Sequence, residues 1–133
     1  LLPFLRMNPG FKELATEMRD RGLKLAINTN RTDTMPLILE TFGLEGLFEP
    51  VITAADVARP KPDPEGALRI LGAWGLPAVR AAYVGDSALD QMAARAAGLR
   101  FWLYGGADLE ADLRLAGFPE LREDLRRFGV VAA

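Results

Sequence analysis

The sequence predicts an α/β fold, a parallel sheet with helices on both faces. Short apolar runs of strand length alternate with amphipathic stretches of helical period along the chain. Each of the longer apolar runs ends in polar or turn-forming residues, as at the carboxyl edge of such a sheet. Half of the 133 residues are hydrophobic and 26% are charged, so a chain of one-domain length can bury a core.

Taken in order, Phe11, Leu14, Ala15 and Met18 recur at helical spacing after Pro9-Gly10. Gly22 stands where that helix needs a left-handed residue to stop. Leu23 to Ile27 reads as a buried strand ending at Asn28-Thr29-Asn30. Asp33 or Thr34 is placed to cap a second helix, with Pro36 in its first turn and Gly43 beyond its end. Val51-Ile52-Thr53 is a short second strand. Asp63-Pro64 opens a third helix, with Ala67, Leu68, Leu71 and Trp74 on one face. Ala81 to Val84 is a third strand running into Gly85-Asp86-Ser87. The helix after it is expected to turn Leu89, Met92, Ala93 and Ala96 inward and to close at Gly98. Arg100 to Tyr104 is a fourth strand. The tail carries two more helical patterns, Leu109, Leu113, Ala116 and then Leu121, Leu125, Phe128.

Composition removes whole classes of chemistry. The chain has no cysteine and no histidine, which excludes disulfides, thiolate nucleophiles, Ser-His-Asp triads and histidine-ligated zinc. Sixteen basic and 18 acidic side chains give a net charge of −2 and are spread evenly, so no basic face for nucleic acid is expected. No apolar run is long enough to span a bilayer, and the first residues lack the pattern of a signal peptide.

The polar groups at the strand ends are chemically selective. Thr29 and Asn30 follow the first strand, Lys61 follows the second in Arg59-Pro60-Lys61-Pro62-Asp63-Pro64, and Asp86 and Asp90 follow the third. A parallel sheet brings these to one edge. There a hydroxyl, an ammonium and two carboxylates can hold a phosphoryl group and a hard divalent cation such as Mg²⁺. Each residue also has an ordinary reading. Asp90 lies three residues after Ser87, the spacing of a capping box. Lys61 is a charge on a stiff proline-rich loop, and Thr29 and Asn30 suit a strand end and turn. The order of all three groups carries more weight than any one. With only 3 lysines beside 13 arginines, a compact ammonium at position 61 also stands out.

Asn28-Thr29-Asn30, Lys61-Pro62-Asp63-Pro64 and Gly85-Asp86-Ser87-Ala88-Leu89-Asp90 together resemble motifs two, three and four of the haloacid dehalogenase (HAD) superfamily. The texture is that of its phosphoglycolate-phosphatase-like branch, over about residues 8–106. The resemblance implies a Rossmann-like three-layer core, a cytoplasmic enzyme and Mg²⁺-dependent hydrolysis of a small phosphorylated metabolite through an aspartyl-phosphate. It implies that Thr29 and Asn30 bind the phosphoryl group and that Lys61 holds the charge of nucleophile and phosphoryl group. Asp86 would ligate Mg²⁺, and Asp90 would ligate it through water or orient Lys61.

The family's first motif, Asp-x-Asp, is missing, since no two Asp of this sequence are separated by a single residue. The resemblance places that motif on a central strand, between the strands ending at Thr29 and at Val84, with a cap domain commonly following it. Residues 1–8 are therefore read as the return from a cap, and 9–133 as a partial core lacking its first, central strand. An open slot there implies unpaired edges, inviting a homo-oligomer or other association, and a chain inactive by itself. The competing function is a non-catalytic remnant acting as a binding or interaction module. A phosphorylation-dependent receiver domain has the wrong motif order, and no Gly-x-Gly-x-x-Gly supports dinucleotide binding.

Overall fold

A computed structural model describes residues 11–105, 107–115 and 129–132. Helix α1 (Phe11–Asp20) leads into strand β1 (Leu25–Asn28), then α2 (Met35–Thr41) and β2 (Val51–Ile52). Helix α3 (Glu65–Trp74) and a 3₁₀ turn (Ala78–Arg80) precede β3 (Ala81–Gly85), α4 (Ala88–Ala96) and β4 (Arg100–Tyr104). Two further strands follow, β5 (Leu113–Leu115) and β6 (Gly129–Ala132). All six form one sheet in the order β2-β1-β6-β3-β4-β5, and every pairing is parallel.

Period-two alternation divides the core between the two faces of this sheet. Leu25 and Ile27 of β1, Ala82 and Val84 of β3 and Trp102 of β4 share one cluster with Ala15 and Met18 of α1 and Met35 of α2. Ala26, Ala81, Tyr83, Phe101 and Leu103 share the other with Ala67, Ile70, Leu71 and Trp74 of α3 and Ala94 of α4. β1 and β3 are buried from both sides, which is why they read as continuous apolar runs.

Several expectations are corrected here. The central slot between β1 and β3 is filled. β6 pairs with β1 (Leu25↔Val130, Ala26↔Val131, Ile27↔Ala132) and with β3 (Ala81↔Gly129 to Val84↔Ala132). The strands ending near Thr29 and Val84 are separated, as the resemblance implies, but by residues of this same chain. The described sheet therefore has no open slot between β1 and β3, and the strand that fills it does not carry the Asp-x-Asp of the family's first motif. Gly129-Val130-Val131-Ala132 is short and apolar with two β-branched valines, which suits a strand paired on both sides.

The described part of the first tail pattern, Leu109 and Leu113, is also not helical. Leu113 lies in edge strand β5, packed toward the α1 side, whereas Leu109 and Ala111 pack toward the α3 side. Asp112 takes the Phe101 amide and the Arg95 guanidinium, both at 2.8 Å, fastening the segment beside β4. The second tail pattern, Leu121, Leu125 and Phe128, lies outside the described residues, as do 1–8.

α3 buries the expected Ala67, Leu71 and Trp74, with Ile70 in place of the exposed Leu68. On α4 Leu89, Met92 and Ala96 are exposed, while Asp90, Ala93, Ala94 and Ala97 are buried. An inward carboxylate sets that phase. Thr34 flanks the start of α2, but its backbone is αR rather than extended and its hydroxyl makes no capping bond.

Candidate active site

The carboxyl ends of β1, β2 and β3 meet over a set of polar groups that hold one another. Ser87, extended at φ −128° and ψ 162°, is the N-cap of α4. Its hydroxyl accepts from the Asp90 amide, and the Asp90 side chain bonds back to the Ser87 amide, closing a capping box. Asp90 as a whole residue is only 2% exposed, so its carboxylate must be satisfied from within the protein. Its Oδ2 accepts from the Ser87 hydroxyl at 2.9 Å and from the amides of Asp86 and Ser87 at 3.2 and 3.3 Å. Its Oδ1 takes the Lys61 ammonium at 2.6 Å and, at the long limit of 3.5 Å, the Tyr83 hydroxyl. One carboxylate thus both completes the cap of α4 and pairs with Lys61.

Gly85 permits this approach. A Cβ there would lie 2.5 Å from the Asp90 Cβ and 2.8 Å from its Cγ. On the same side of the sheet, Asn28 donates to the Tyr83 hydroxyl at 3.1 Å. Gly66, in the first turn of α3, fits against Asn28, whose Oδ1 a Cβ at that position would overlap. A polar thread thus runs Asn28, Tyr83, Asp90, Lys61 through an otherwise apolar interior. Burial, then the neighbouring Asp90 charge, pushes the Tyr83 hydroxyl far above the usual tyrosine value.

Lys61 reaches Asp90 from a loop with its own anchors. Thr53 donates its amide and hydroxyl to Asp56 Oδ2 at 2.8 and 3.0 Å, holding that carboxyl below its usual value. Glu65 accepts the amides of Ala58 and Arg59 at 3.0 and 3.3 Å, and Asp63 accepts the Glu65 amide at 2.9 Å. Asn30 grips Lys61 itself: its Oδ1 accepts the Lys61 amide at 3.0 Å and its Nδ2 donates to the Lys61 carbonyl at 3.2 Å. The Lys61 side chain is 10% exposed and that of Asp90 3%, so the pair is shielded from solvent screening.

Thr29 is half-buried at the end of β1, and its Oγ1 accepts the Arg31 amide at 3.2 Å, which leaves the hydroxyl hydrogen available to a ligand. Asp86 is exposed just past β3, and its carboxylate has no hydrogen bond or ion pair among the described residues. Thr29, Asn30, Lys61, Asp86 and Asp90 all stand at this edge, with Asn30, Lys61 and Asp90 in direct contact. Tyr83, Glu65 and Gly66 were not singled out from the sequence. A tyrosine inside a buried strand was the available signal, because its hydroxyl demands a partner.

No group of three or more acidic side chains able to hold a metal occurs among the described residues. Asp90 has both oxygens engaged by five donors, and Asp86 offers the one free carboxylate of the pair. Mg²⁺ is commonly held by one or two carboxylates, completed by water and substrate phosphate. Asp86 fits that part, and Asp90 fits the role of orienting Lys61.

A parallel α/β sheet with a hydroxyl, a buried ammonium and carboxylates gathered at its carboxyl edge defines the class of this molecule. Its family follows from comparison: the chain belongs to the haloacid dehalogenase-like hydrolases, whose family model matches residues 3–104. It is 36% identical over 89 residues to the pyrophosphatase PpaX of Bacillus velezensis, covering 66% of this chain and 41% of that protein. It is 32% identical over 94 residues to a phosphoglycolate phosphatase of Haemophilus influenzae, covering 70% and 42%. A HAD-superfamily hydrolase of subfamily IA from Geobacter sulfurreducens superposes with a TM-score of 0.87 at 36% identity, over 93% of this chain and 58% of that one. The chain thus spans less than half the length of these two curated relatives. Among the described residues, no helix is long and apolar enough to cross a membrane.

Proposed function

We propose that this chain is the larger part of the core of a Mg²⁺-dependent phosphatase acting on small phosphate monoesters through an aspartyl-phosphate. The observation that carries the reading is the buried Lys61–Asp90 pair at 2.6 Å, beside Thr29 and Asp86 on the carboxyl edge of a parallel sheet. The family membership and the phosphatases among the relatives support it.

The Thr29 hydroxyl donates to a phosphoryl oxygen. Lys61, held by Asp90 on one side, presents positive charge to the phosphoryl group on the other, where charge develops in the transition state. Asp90 keeps the ammonium oriented, at no cost in reorganisation when the reaction occurs. Asp86 would hold Mg²⁺ together with ligands from outside this sequence, and the ion would supply charge screening for the phosphate. The nucleophile belongs to the Asp-x-Asp motif, which these residues do not contain.

The test is turnover of a chain that includes the Asp-x-Asp segment. Lys61→Ala should lower kcat by orders of magnitude, and Lys61→Arg should rescue poorly, because a planar fork replaces a compact charge. Near-normal turnover by Lys61→Ala would reduce the lysine to a structural partner of Asp90. A second reading, a phosphate-binding module without catalysis, is favoured by one observation: β6 closes the centre of the sheet with residues that carry no carboxylate. The sequence encoded before Leu1 discriminates the two, since an Asp-x-Asp after an apolar strand decides for the enzyme.

A further inference from the structure

We infer that Asn30 is a positioning residue for Lys61, acting through the lysine backbone and not by contact with the phosphoryl group. Its side-chain amide lies against the Lys61 peptide group as a reciprocal pair, accepting the amide at 3.0 Å and donating to the carbonyl at 3.2 Å, across 31 residues of sequence. Both polar atoms of the Asn30 side chain are thereby engaged. Lys61 is then held at two ends, its peptide by Asn30 and its ammonium by Asp90.

The neighbouring anchors separate this grip from general loop order. Ala58 and Arg59 are fastened independently by Glu65, and Asp63 secures the amide of Glu65 itself. The Asn30 bonds fix the Lys61 peptide itself, within a turn closed by the Asp63 amide donating to the Pro60 carbonyl at 3.0 Å. They also tie the loop after β1, which bears Thr29, to the loop that bears Lys61. The hydroxyl and the cation on which the phosphatase reading rests are thus linked through one amide side chain, beside the backbone bond from the Ala54 amide to the Arg31 carbonyl at 2.9 Å.

Asn30 is exposed, so replacing it leaves the core intact, and the chain can be tested as it is. In ¹⁵N-labelled protein, Asn30→Ala should speed exchange of the Lys61 amide about tenfold, the scale of one or two lost hydrogen bonds, with the Ala58 and Arg59 amides unchanged. Asn30→Asp keeps the acceptor for the Lys61 amide and should restore most of its protection. In titrations with inorganic phosphate, Asn30→Ala should weaken binding in the native background and have no further effect in Lys61→Ala. An unchanged Lys61 amide, or a phosphate effect that persists fully in Lys61→Ala, would overturn the inference; the second result would make Asn30 a direct phosphate ligand. If the native chain binds no phosphate, the phosphate-site reading fails by itself, and amide exchange still decides whether Asn30 holds Lys61.

Discussion

Tyr83 shows how a single buried group couples this site to stability. It is 0% exposed on β3, accepts from Asn28 and stands next to Asp90. Its folded-state pKa is raised above the ordinary value of 10.0, so the native state keeps a proton that the unfolded chain releases in base. Stability from this group is fully present below pH 10 and falls as pH rises above it, by about 1.4 kcal/mol per pH unit. Urea unfolding between pH 9 and 11 should show a steeper loss for the native chain than for Tyr83→Phe, although the variant starts lower by about 1–3 kcal/mol because Asn28 loses its partner. Parallel pH profiles would mean that the phenol is not held protonated by the fold. At this scale the sequence was legible in placement: Thr29 and Asp86 directly follow β1 and β3, Lys61 lies in the loop after β2, and Asp90 lies in the first turn of α4. What escaped it were pairings between distant residues, such as Asn30 with Lys61 and Asn28 with Tyr83. Such contacts are decided by three-dimensional approach and leave no local pattern. Gly66 and Gly85 matter for the same reason, since each makes room for a side chain far from it in sequence or one turn away.

Elements were legible when their apolar period had one interpretation. β1, β3 and β4 were found because strands buried on both faces cannot be confused with the amphipathic helices between them. The phase of α4 was misjudged because Leu89 and Met92 look like core residues, whereas burial of Asp90, satisfied by five donors, commits the opposite stripe to the interior. Leu109 and Leu113 have a helical spacing, yet they lie on an extended stretch that packs one toward the α3 side and the other toward the α1 side. The largest correction, β6, rests on backbone pairing with strands far away in sequence. Its role is open to a backbone test. Val131 pairs with Ala26 on one side and Tyr83 on the other. Proline there removes the amide and is tolerated poorly in a central strand. Val131→Pro should abolish cooperative urea unfolding or move its midpoint far down, read by circular dichroism. A native midpoint in that variant would show that residues 129–132 do not occupy the slot.

At the scale of the molecule, the central slot and the missing nucleophile are one problem. The HAD resemblance assigns that slot to a strand carrying Asp-x-Asp, and the described sheet fills it with Gly129–Ala132 instead. Two strands cannot share the position. In the 133-residue chain, deleting 129–133 leaves facing rows of amides and carbonyls on β1 and β3 without partners. Each buried unpaired group costs about 1–3 kcal/mol, against a whole-domain stability of about 5–15 kcal/mol. The deletion should therefore unfold this chain or drive it to associate through the exposed edges. In a longer chain whose upstream strand brings Asp-x-Asp into the slot, the same deletion removes a displaced segment and should change the urea midpoint little. Phosphate release from p-nitrophenyl phosphate with Mg²⁺ should follow the same division, absent from the 133-residue chain and present in the longer one with or without 129–133. If the deletion is equally damaging in both chains, β6 is the permanent centre of the sheet. Lys61, Thr29 and Asp86 would then surround a strand end that carries no nucleophile, and the binding-module reading becomes the correct account of this protein.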